Sequence, residues 1–524
     1  MKQLEIFDTT LRDGAQGENV SFSVADKLNI LKALAAIGIP YVEAGNPGSN
    51  PRDAEFFNSI RGKEFGTNVV AFGSTRRRGI RPEEDGNCLA LLGAETETVA
   101  IFGKGWLLHV TDVLHTTPEE NLAMIRDTVA FFVKKGKRVF YDAEHFFDGY
   151  LDNPEYAMAT LRAAEEAGAE RLILCDTNGG TFPETVAEIV QSVSEVAAVP
   201  LGIHCHNDTG CAVAASLAAV EAGAVQVQGT FLGIGERCGN ANLSTLIGDL
   251  QLKKGYACIP EEKMPNLTST ARYLADISNI RLSNTMPYVG QSAFSHKGGM
   301  HIDGVMKNSR SFEHIPPEEV GNNRNILVSD VAGRSALAEK LAKIDGGLAR
   351  DSEKLADFAQ NIKQLEYEGF QFESAAASME IRALKYFGGY RPFFTLCHFK
   401  TIGEQPAPDT DRSAAAVVKI KVGDRYEITA EEGDGPVHAL DKALKKALSV
   451  FYPEVGGITL VDYKVRVIDS GKGAAAMVRV LIESTDGEAV WTTVGASTDI
   501  IDASWQALVD SIEYKLLKEN GILQ

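Results

Sequence analysis

Short apolar segments alternate with longer amphipathic segments eight times over about the first 250 residues, and this rhythm constrains the fold more than any other feature. The predicted strands lie at 4–7, 41–44, 68–72, 98–102, 138–141, 171–175, 201–206 and 225–231. The segments between them have helical periodicity, and several end in glycine. Eight strand–helix units in about 230 residues are typical of a (β/α)8 barrel, whereas a doubly wound sheet usually has fewer strands and a glycine-rich turn after the first. We therefore predict an α/β fold whose first part, residues 1–270, is a TIM barrel.

Ionisable and amide side chains follow nearly every predicted strand. In a (β/α)8 barrel the chemistry collects at the carboxyl ends of the strands. In chain order these side chains are Asp8, Arg12, Asp13, Glu43, Asn46, Arg76, Lys104, Asp142, Glu144, Asp176, Thr177, His204, His206, Glu236 and Asn240. A purely structural barrel does not need so many polar strand ends, so this face is predicted to be an active site.

Two of these side chains, His204 and His206, are predicted to share one face of the seventh strand. Residues at i and i+2 of a strand point the same way, while Cys205 points to the other face. Two imidazoles on one face can share a metal ion. The alternative is a pair of polar residues at a strand end with no ligand.

The net charge of −19 argues against nucleic acid or an anionic membrane as the main partner. No apolar run is long enough to span a bilayer, and the first residues are typical of a strand, with no signal peptide. The seven cysteines are scattered without a Cys-x-x-Cys pair, which favours reduced thiols over disulfides. We therefore expect a cytoplasmic protein with no nucleic-acid partner and no membrane partner.

Three segments resemble the signatures of the DRE-TIM metallolyases: 8–14 (DTTLRDG), 204–208 (HCHND) and 233–240 (GIGERCGN). Within that family the chain resembles the branch of 2-isopropylmalate, homocitrate and citramalate synthases. It is most similar to the citramalate synthases, through 45–53 (GNPGSNPRD), 72–77 (FGSTRR) and 291–301 (QSAFSHKGGMH). The resemblance covers essentially the whole chain.

The resemblance implies four metal ligands, which are Asp13, His204, His206 and Asn240. One carboxylate, two imidazoles and an amide oxygen, with no thiolate, favour Mg2+ or Mn2+, with Zn2+ less favoured. In a closed barrel the seventh, eighth and first strands are neighbours, so these residues can reach one ion. The alternative role of Asn240 is to cap its own turn, a common use of asparagine.

The resemblance also implies a Claisen-type condensation of acetyl-CoA, the co-substrate, with pyruvate, giving (R)-citramalate after hydrolysis of the thioester. Arg12 is expected to polarise the keto oxygen, and Thr177 to bind the carboxylate of the 2-oxo acid. Glu144 is expected to orient water or relay protons, and His301 to be the catalytic base, with His296 as the second choice. The structural alternatives are an ion pair of Arg12 with Asp8, Glu43 or another carboxylate, and a salt bridge of Glu144 with a nearby arginine. For Thr177 the alternative is a helix N-cap or an ST-turn.

One position departs from the family pattern. The family usually carries a tyrosine about ten residues beyond the base, whereas this chain has Phe312, whose ring offers no donor. Either the hydroxyl is dispensable, or another group such as His314 replaces it, or activity is reduced. The basic residues 76–78 and Lys297 are candidates to contact the phosphates of CoA, although a solvated charge run is an equal alternative.

Three other functions stay open at this point. A 2-isopropylmalate synthase would use 2-oxoisovalerate, and the side chains of the ketone pocket, for which Phe102 and Leu107 are candidates, would decide between the two. A lyase of the same family would cleave a 3-hydroxyacyl-CoA, and the added tail argues against it. A non-catalytic scaffold is opposed by the intact set of metal ligands.

At 524 residues the chain is too long for one ordinary domain. Residues 271–388 are predicted to be a linker with helical subdomains that carries His301, with helices at 336–343 and 352–366. Residues 389–524 are predicted to be an α+β domain with strands at 414–422, 425–429, 461–468, 476–483 and 489–494 and helices at 439–444 and 503–508. The similar helices indicate an internal pseudo-repeat.

This tail resembles the regulatory domain of isopropylmalate and citramalate synthases. The resemblance implies a homodimer that binds an end-product amino acid, isoleucine, with the loop 433–437 lining the site. The alternative is a dimerisation domain without a ligand.

Overall fold

The computed structural model describes residues 2–327, 352–403, 414–468, 473 and 475–523. The chain divides into two compact units, one of Met1–Phe294 with Ile315–Arg324 and one of Ser295–His314 with Asn325–Gln524. The predicted helix at 336–343 lies outside the described residues. Among the helices in the described ranges, none is long and apolar enough to cross a bilayer.

The first unit is built on a closed barrel of eight parallel strands, which confirms the predicted fold. The strands are β1 (Glu5–Asp8), β2 (Tyr41–Gly45), β3 (Asn68–Ser74), β4 (Thr98–Lys104), β5 (Arg138–Glu144), β6 (Arg171–Asp176), β7 (Leu201–Cys205) and β8 (Gln226–Gly229). β8 pairs with β1, with Ile6 opposite Val227, so the last strand lies beside the first. All eight predicted strands are confirmed. β7 ends one residue early, and His206 forms an isolated bridge with Asn240 instead.

Helices surround the barrel as predicted. They are α1 (Val24–Ile37), α2 (Pro51–Ile60), α3 (Gly86–Gly93), α4 (Pro118–Lys134), α5 (Phe146–Asp152), α6 (Pro154–Glu166), α7 (Pro183–Ser194), α8 (Ala212–Glu221), α9 (Leu243–Ile247) and α10 (Leu267–Ile277). α1 begins with a capping box in which Ser23 and Asp26 bind each other's backbone N–H, and it ends at Gly38 with φ of 97°. Proline occupies the first turn of α2, α4, α6 and α7, where it costs no helical hydrogen bond.

The interior of the barrel is a packed core. A layer of five buried side chains fills it, made of Phe7, Tyr41, Val70, Ala100 and Phe140. The ring centroids of Tyr41 and Phe140 are 5.4 Å apart in an edge-to-face arrangement, and burying each Phe stabilises the fold by roughly 1.5–3 kcal/mol. The interior is closed by this layer, so ligands have access only from an end of the barrel.

The second unit contains two antiparallel sheets of three strands. The strands are β9 (Thr395–Gly403), β10 (Ala414–Val422), β11 (Arg425–Gly433), β12 (Thr459–Val467), β13 (Val478–Thr485) and β14 (Val490–Ser497), in sheet orders β9-β10-β11 and β12-β13-β14. The helices are α11 (Gly299–Lys307), α12 (Ser352–Tyr367), α13 (Ala376–Phe387), α14 (Pro436–Ser449) and α15 (Ile500–Glu519). Each sheet is followed by one long helix, α14 or α15, which agrees with the predicted pseudo-repeat.

Candidate metal and substrate site

A cavity of about 200 Å3 opens at the carboxyl ends of the barrel strands. It collects side chains from the first seven strands except the second, and from the loop that follows β8. The lining residues are Arg12, Asp13, Gln16, Phe72, Phe102, Asp142, Glu144, Cys175, Thr177, His204, His206 and Glu236. The resemblance gave eight residues a role toward metal, substrate or protons, and six of these line the cavity: Arg12, Asp13, Glu144, Thr177, His204 and His206. This is the arrangement expected at the mouth of a (β/α)8 barrel.

Asp13, His204 and His206 form a potential divalent-metal site. Asp13 Oδ2 lies 3.5 Å from His204 Nε2 and 3.8 Å from His206 Nε2. All three side chains are buried, and their ligand atoms lie within 4.8 Å of one another. A carboxylate with two imidazoles and no thiolate suits a borderline or hard divalent ion.

The hydrogen bonds around the two histidines leave a nitrogen of each ring available. His204 Nδ1 lies 3.1 Å from Gln228 Oε1, so a proton on Nδ1 leaves the lone pair of Nε2 facing Asp13. His206 Nδ1 is buried and has no hydrogen-bond partner among the described residues. Burial, with the charge of His204 second, lowers the pKa of His206 to about 4, so this ring is neutral and able to coordinate.

Asp13 and His204 shift each other's pKa in the direction that favours the charged form of each. Burial opposes the charge on both, but Arg12 and His204 outweigh it and hold the pKa of Asp13 well below its usual range. Asp13 likewise outweighs burial and raises the pKa of His204. A divalent ion would compete with protons for His204 Nε2, so its affinity should fall as the pH is lowered.

Asn240 lies directly against this cluster. Its Nδ2 donates to Asp13 Oδ1 at 3.0 Å and to the carbonyl of Ile234 at 3.2 Å. Its Oδ1 is buried without a hydrogen-bond partner in the part of the chain that is described. Gly235 makes room for the amide, because an added Cβ would collide with Asn240 Nδ2. The orphaned amide oxygen is the kind of atom that a metal ion would satisfy, so the four predicted ligands fit a divalent ion.

Arg12 is fixed between two carboxylates and an aromatic ring. Its Nε forms an ion pair with Glu43, and its NH1 donates to Asp13 Oδ2 at 2.8 Å. The guanidinium lies 3.9 Å from the ring centroid of Phe72. Burial opposes the charge, but Glu43 and Asp13 raise the pKa of Arg12 above its usual value, so it remains a cation. The alternative ion pair is therefore observed, and the role toward substrate stays a prediction.

Glu144 and Thr177 line the same cavity. Glu144 forms an ion pair, but with Lys104 and not with the arginine that the structural alternative expected. Thr177 Oγ1 accepts the backbone N–H of His145 at 2.8 Å. Thr177 does not cap α7, because the residue in that position is Phe182.

His301, the predicted base, belongs to the second unit. It lies on α11, is exposed, and stacks on Phe312 with ring centroids 4.2 Å apart. His296 is buried, and its Nε2 lies 3.1 Å from Glu313 Oε1. Lys297 forms an ion pair with Glu373 at 2.6 Å, and its contact with CoA stays a prediction.

Sequence reasoning missed residues that line the cavity or hold its side chains in place. Gln228 orients His204, and Phe72 stacks on Arg12 and on Phe102, with 5.1 Å between the two ring centroids. A buried glutamine inside a barrel strand is a signal that could have pointed to Gln228. Phe102 lines the cavity as predicted, whereas Leu107 is not among its lining residues.

Three protein-family models match consecutive parts of the chain. The HMGL-like family matches residues 3–274, the homocitrate synthase post-HMGL domain-like family matches 288–369, and the LeuA allosteric (dimerisation) domain matches 376–516. Over the whole chain, an (R)-citramalate synthase of Aquifex aeolicus is 49% identical and is itself covered completely. An (R)-citramalate synthase of Geobacter sulfurreducens is 46% identical, with 100% of this chain and 99% of the relative covered. A probable 2-isopropylmalate synthase of Methanopyrus kandleri is 32% identical, with 97% and 98% covered.

Proposed function

The chain belongs to the family of (R)-citramalate synthases, and from that premise we propose that it condenses acetyl-CoA with pyruvate to give (R)-citramalate and CoA. The predicted resemblance is thereby confirmed, and the protein is an acyltransferase. Five relatives of this name are 42–49% identical over nearly the whole chain. Two probable 2-isopropylmalate synthases are 32% and 30% identical, and a putative (R)-citramalate synthase is 31% identical. The observation that carries the proposal is the meeting of Arg12, Asp13, His204 and His206 at one cavity.

The size and walls of the cavity support pyruvate as the ketone. The volume of about 200 Å3 is shared with any metal ion and its water, and the stacked rings of Phe72 and Phe102 form one rigid wall. The isopropyl group of 2-oxoisovalerate is two carbons larger than the methyl group of pyruvate. A methylene that does not fit is worth roughly 1–3 kcal/mol of discrimination, so the aromatic wall favours the smaller ketone.

We assign the binding of the 2-oxo acid to Arg12 and Thr177. Arg12 stays charged and would donate to the keto oxygen, which withdraws electrons from the carbon under attack. Thr177 accepts the N–H of His145, so its own hydroxyl proton can be donated to the substrate carboxylate. The two contacts would fix the ketone at both ends.

Asp13, His204, His206 and Asn240 would hold the metal, for which we propose Mg2+ or Mn2+ rather than Zn2+. The ion, when bound, supplies Lewis-acid stabilisation of the negative charge that develops on the keto oxygen. Gln228 holds His204 in the tautomer that coordinates through Nε2. Arg12 keeps Asp13 ionised and thus ready to act as a ligand.

Proton transfer is assigned to His301 and Glu144. His301 would remove a proton from the methyl group of acetyl-CoA, since an imidazole titrates near neutral pH. Glu144, held by Lys104, would orient the water that hydrolyses the thioester. Phe312 stacks on His301 but cannot take its proton, so a different group must do so. The assignment of His301 rests on the motif at 291–301.

We propose a cytoplasmic homodimer regulated by isoleucine. Seven free cysteines agree with a reducing compartment, and the LeuA allosteric (dimerisation) match covers 376–516. Ile402 and Ile428 on the outer strands of the first sheet are 55% and 59% exposed, which supports burial against another chain. The loop at 433–437 is the proposed isoleucine site.

Release of CoA from acetyl-CoA in the presence of several 2-oxo acids tests the proposed reaction. Turnover should be fastest with pyruvate, and EDTA should abolish it until Mg2+ or Mn2+ is added back. Turnover of 2-oxoisovalerate at an equal or higher rate would contradict the assignment, and activity that survives thorough chelation would contradict the metal site.

Two histidine variants separate the metal site from the base. His204→Ala should lose metal and activity together, and His301→Ala should lose activity but keep the metal. His115→Ala is the matched control, because the ring of this exposed histidine contacts the carbonyl of Thr111 through Nδ1 and is not among the residues that line the cavity. Retention of activity by His204→Ala would remove the proposed metal site.

A further inference from the structure

A buried lysine on α1, Lys27, makes three hydrogen bonds behind the site. Its Nζ donates to the carbonyl of Leu11 at 2.9 Å, the carbonyl of Ala44 at 2.8 Å and Asp53 Oδ1 at 2.5 Å. The lysine is 3% exposed and Asp53 is 5% exposed. These bonds use every N–H of the ammonium group, so no donor of this buried charge lacks an acceptor.

The two carbonyls lie next to site residues. Leu11 directly precedes Arg12, and Ala44 directly follows Glu43, the partner of Arg12 in the ion pair. The ammonium group of Lys27 thus binds the backbone next to each partner of the ion pair. One carbonyl lies in the turn after β1 and the other lies in β2. The carbonyl of Thr9 already accepts the N–H groups of Arg12, Asp13 and Gly14, so Lys27 adds the link between this turn and the end of β2.

Asp53 extends the same network into the segment 45–53, which the reaction itself does not explain. Its Oδ2 accepts the N–H of Asn46 at 2.8 Å while Oδ1 binds Lys27. Gly45 has φ of +144°, and an added Cβ there would collide with the carboxylate of Asp53. The Asp53 carboxylate can therefore occupy this position only because residue 45 is a glycine.

We propose that Lys27 and Asp53 are positioning residues that set the geometry of Arg12 and Asp13 from behind the cavity. The ammonium fixes the turn that carries both site residues against the end of β2, so that Asp13 meets His204 and Arg12 meets Glu43. This inference rests on the proposed function for its meaning to the reaction, although its effect on metal binding does not require turnover. The competing interpretation is a core ion pair that only stabilises the barrel.

Binding of Mn2+ to the purified full-length protein, followed by electron paramagnetic resonance, gives the direct test. Lys27→Met keeps a side chain of similar length against Phe56, which the ammonium approaches at 5.8 Å from the ring centroid. Its Mn2+ affinity should fall roughly 10–100-fold, the range typical of groups that orient ligands. The value of kcat with pyruvate should fall at least as much. Wild-type Mn2+ affinity in a folded Lys27→Met protein overturns the proposal.

The double variant Lys27→Met/Asp53→Asn separates positioning from stability. Each single change leaves a buried charge without its partner and lowers the melting temperature, whereas the double change leaves none. The melting temperature should therefore recover in the double variant, while the Mn2+ affinity stays weak. Recovery of both together means that the pair only stabilises the fold. If Lys27→Met does not fold, the double variant decides alone.

Lys137→Met is the matched control. Lys137 also donates to a backbone carbonyl, that of Thr96 at 2.6 Å, but it lies at the amino-terminal end of the strands. Its loss should leave Mn2+ affinity and kcat unchanged. If the wild-type protein binds Mn2+ but does not turn over pyruvate, the proposed function is contradicted. The effect of Lys27→Met on Mn2+ affinity can still be measured in that case.

Discussion

Asp8 and Asp142 are buried carboxyl groups inside the barrel, and their ionisation lowers the free energy of unfolding because burial disfavours the charged form. Burial raises the pKa of Asp8 to about 7, although both of its oxygens accept hydrogen bonds from Thr10 at 2.9 Å. Burial and the charge of Glu43 raise the pKa of Asp142 to about 7 as well. In the unfolded chain both groups titrate near 3.8, so folding takes up protons between these two values.

The pH dependence of stability follows from that uptake. Well below pH 3.8 the Asp8 carboxyl is protonated in both states, and as the pH rises toward 7 the unfolded chain releases its proton first. Stability therefore falls over this window, by roughly 4 kcal/mol for a shift of about three pH units. The melting temperature of the first unit should fall between about pH 4 and 7 in calorimetry, and Asp8→Asn should make that fall smaller.

Asp26→Asn is the control for this titration. Burial is slight at Asp26, and its hydrogen bonds to Ser23 lower its pKa, so its contribution is lost only as the pH falls through the acid range. Its replacement should leave the slope between about pH 4 and 7 unchanged. An unchanged slope in Asp8→Asn would show that Asp8 is not the group responsible.

Gln228 should control metal affinity without touching the metal. Gln228→Leu removes the acceptor of His204 Nδ1, so the ring loses its fixed tautomer and orientation. We expect Mn2+ binding measured by calorimetry to weaken 10–100-fold. Gln228→Glu keeps an oxygen at this point and should retain most of the affinity. Equal weakening in both variants would point to lost packing instead.

Spacing alone brought His204 and His206 together, because a period of two fixes the face of a strand. Asp13 and Asn240 were predicted as ligands from the resemblance. Pairing of β8 with β1 explains how both side chains lie beside His204 and His206. Gln228, Phe72 and Lys27 could not be predicted in this way. An amide, a phenyl ring and a helical lysine acquire their roles only from neighbours that are distant in sequence.

At the scale of elements, periodicity predicted best where one face is buried. β10 alternates buried and half-buried residues and was predicted with its observed bounds, 414–422. β9 was missed, because residues exposed or half-buried along its whole length give no apolar alternation. Strands of this kind are specified by pairing with a neighbour, here β10, rather than by their own sequence.

The cap of α1 gives a prediction at this scale. Ser23→Ala removes the acceptor of the Asp26 N–H, and with it half of the capping box. The free energy of unfolding of the first unit should fall by about 1 kcal/mol, measured by urea titration. Mn2+ affinity should stay unchanged, because Lys27 is held by its own three bonds.

Ser23→Thr is the matched variant, since it keeps the hydroxyl acceptor and should lose little stability. A loss of metal affinity in Ser23→Ala would mean that the position of α1, and not only the Lys27 ammonium, controls the site.

At the scale of the whole molecule, the two halves of the pseudo-repeat in the second unit differ. α13 packs on β14, where Ser378 Oγ accepts the N–H of Val494 at 3.0 Å. On the first sheet, Ile402 and Ile428 are more than half exposed. The proposed boundary at 388/389 would separate α13 from Val494 and Ala496, which share a buried cluster with Met379. A chain ending at 388 should therefore be less resistant to proteolysis in α13.

Ile428→Glu tests whether the first sheet meets a second chain. A carboxylate on this face would be costly to bury, so the variant should dissociate at higher protein concentration than the wild type in sedimentation velocity. Val113→Glu, at an apolar residue 55% exposed in the first unit, should sediment as the wild type does. Unchanged association in Ile428→Glu would place the dimer contact elsewhere.

Because the barrel closes between β8 and β1, the proposed metal site can form only after β8 and the loop that follows it have been synthesised. Asp13 and Asn240, joined by a hydrogen bond, are 227 positions apart in the chain. A ribosome that adds about 5–20 residues per second needs about 10–45 s to cover that distance. Throughout this interval the nascent chain presents Asp13 without Asn240. Metal uptake at the proposed four-ligand site would therefore require that translation has passed β8.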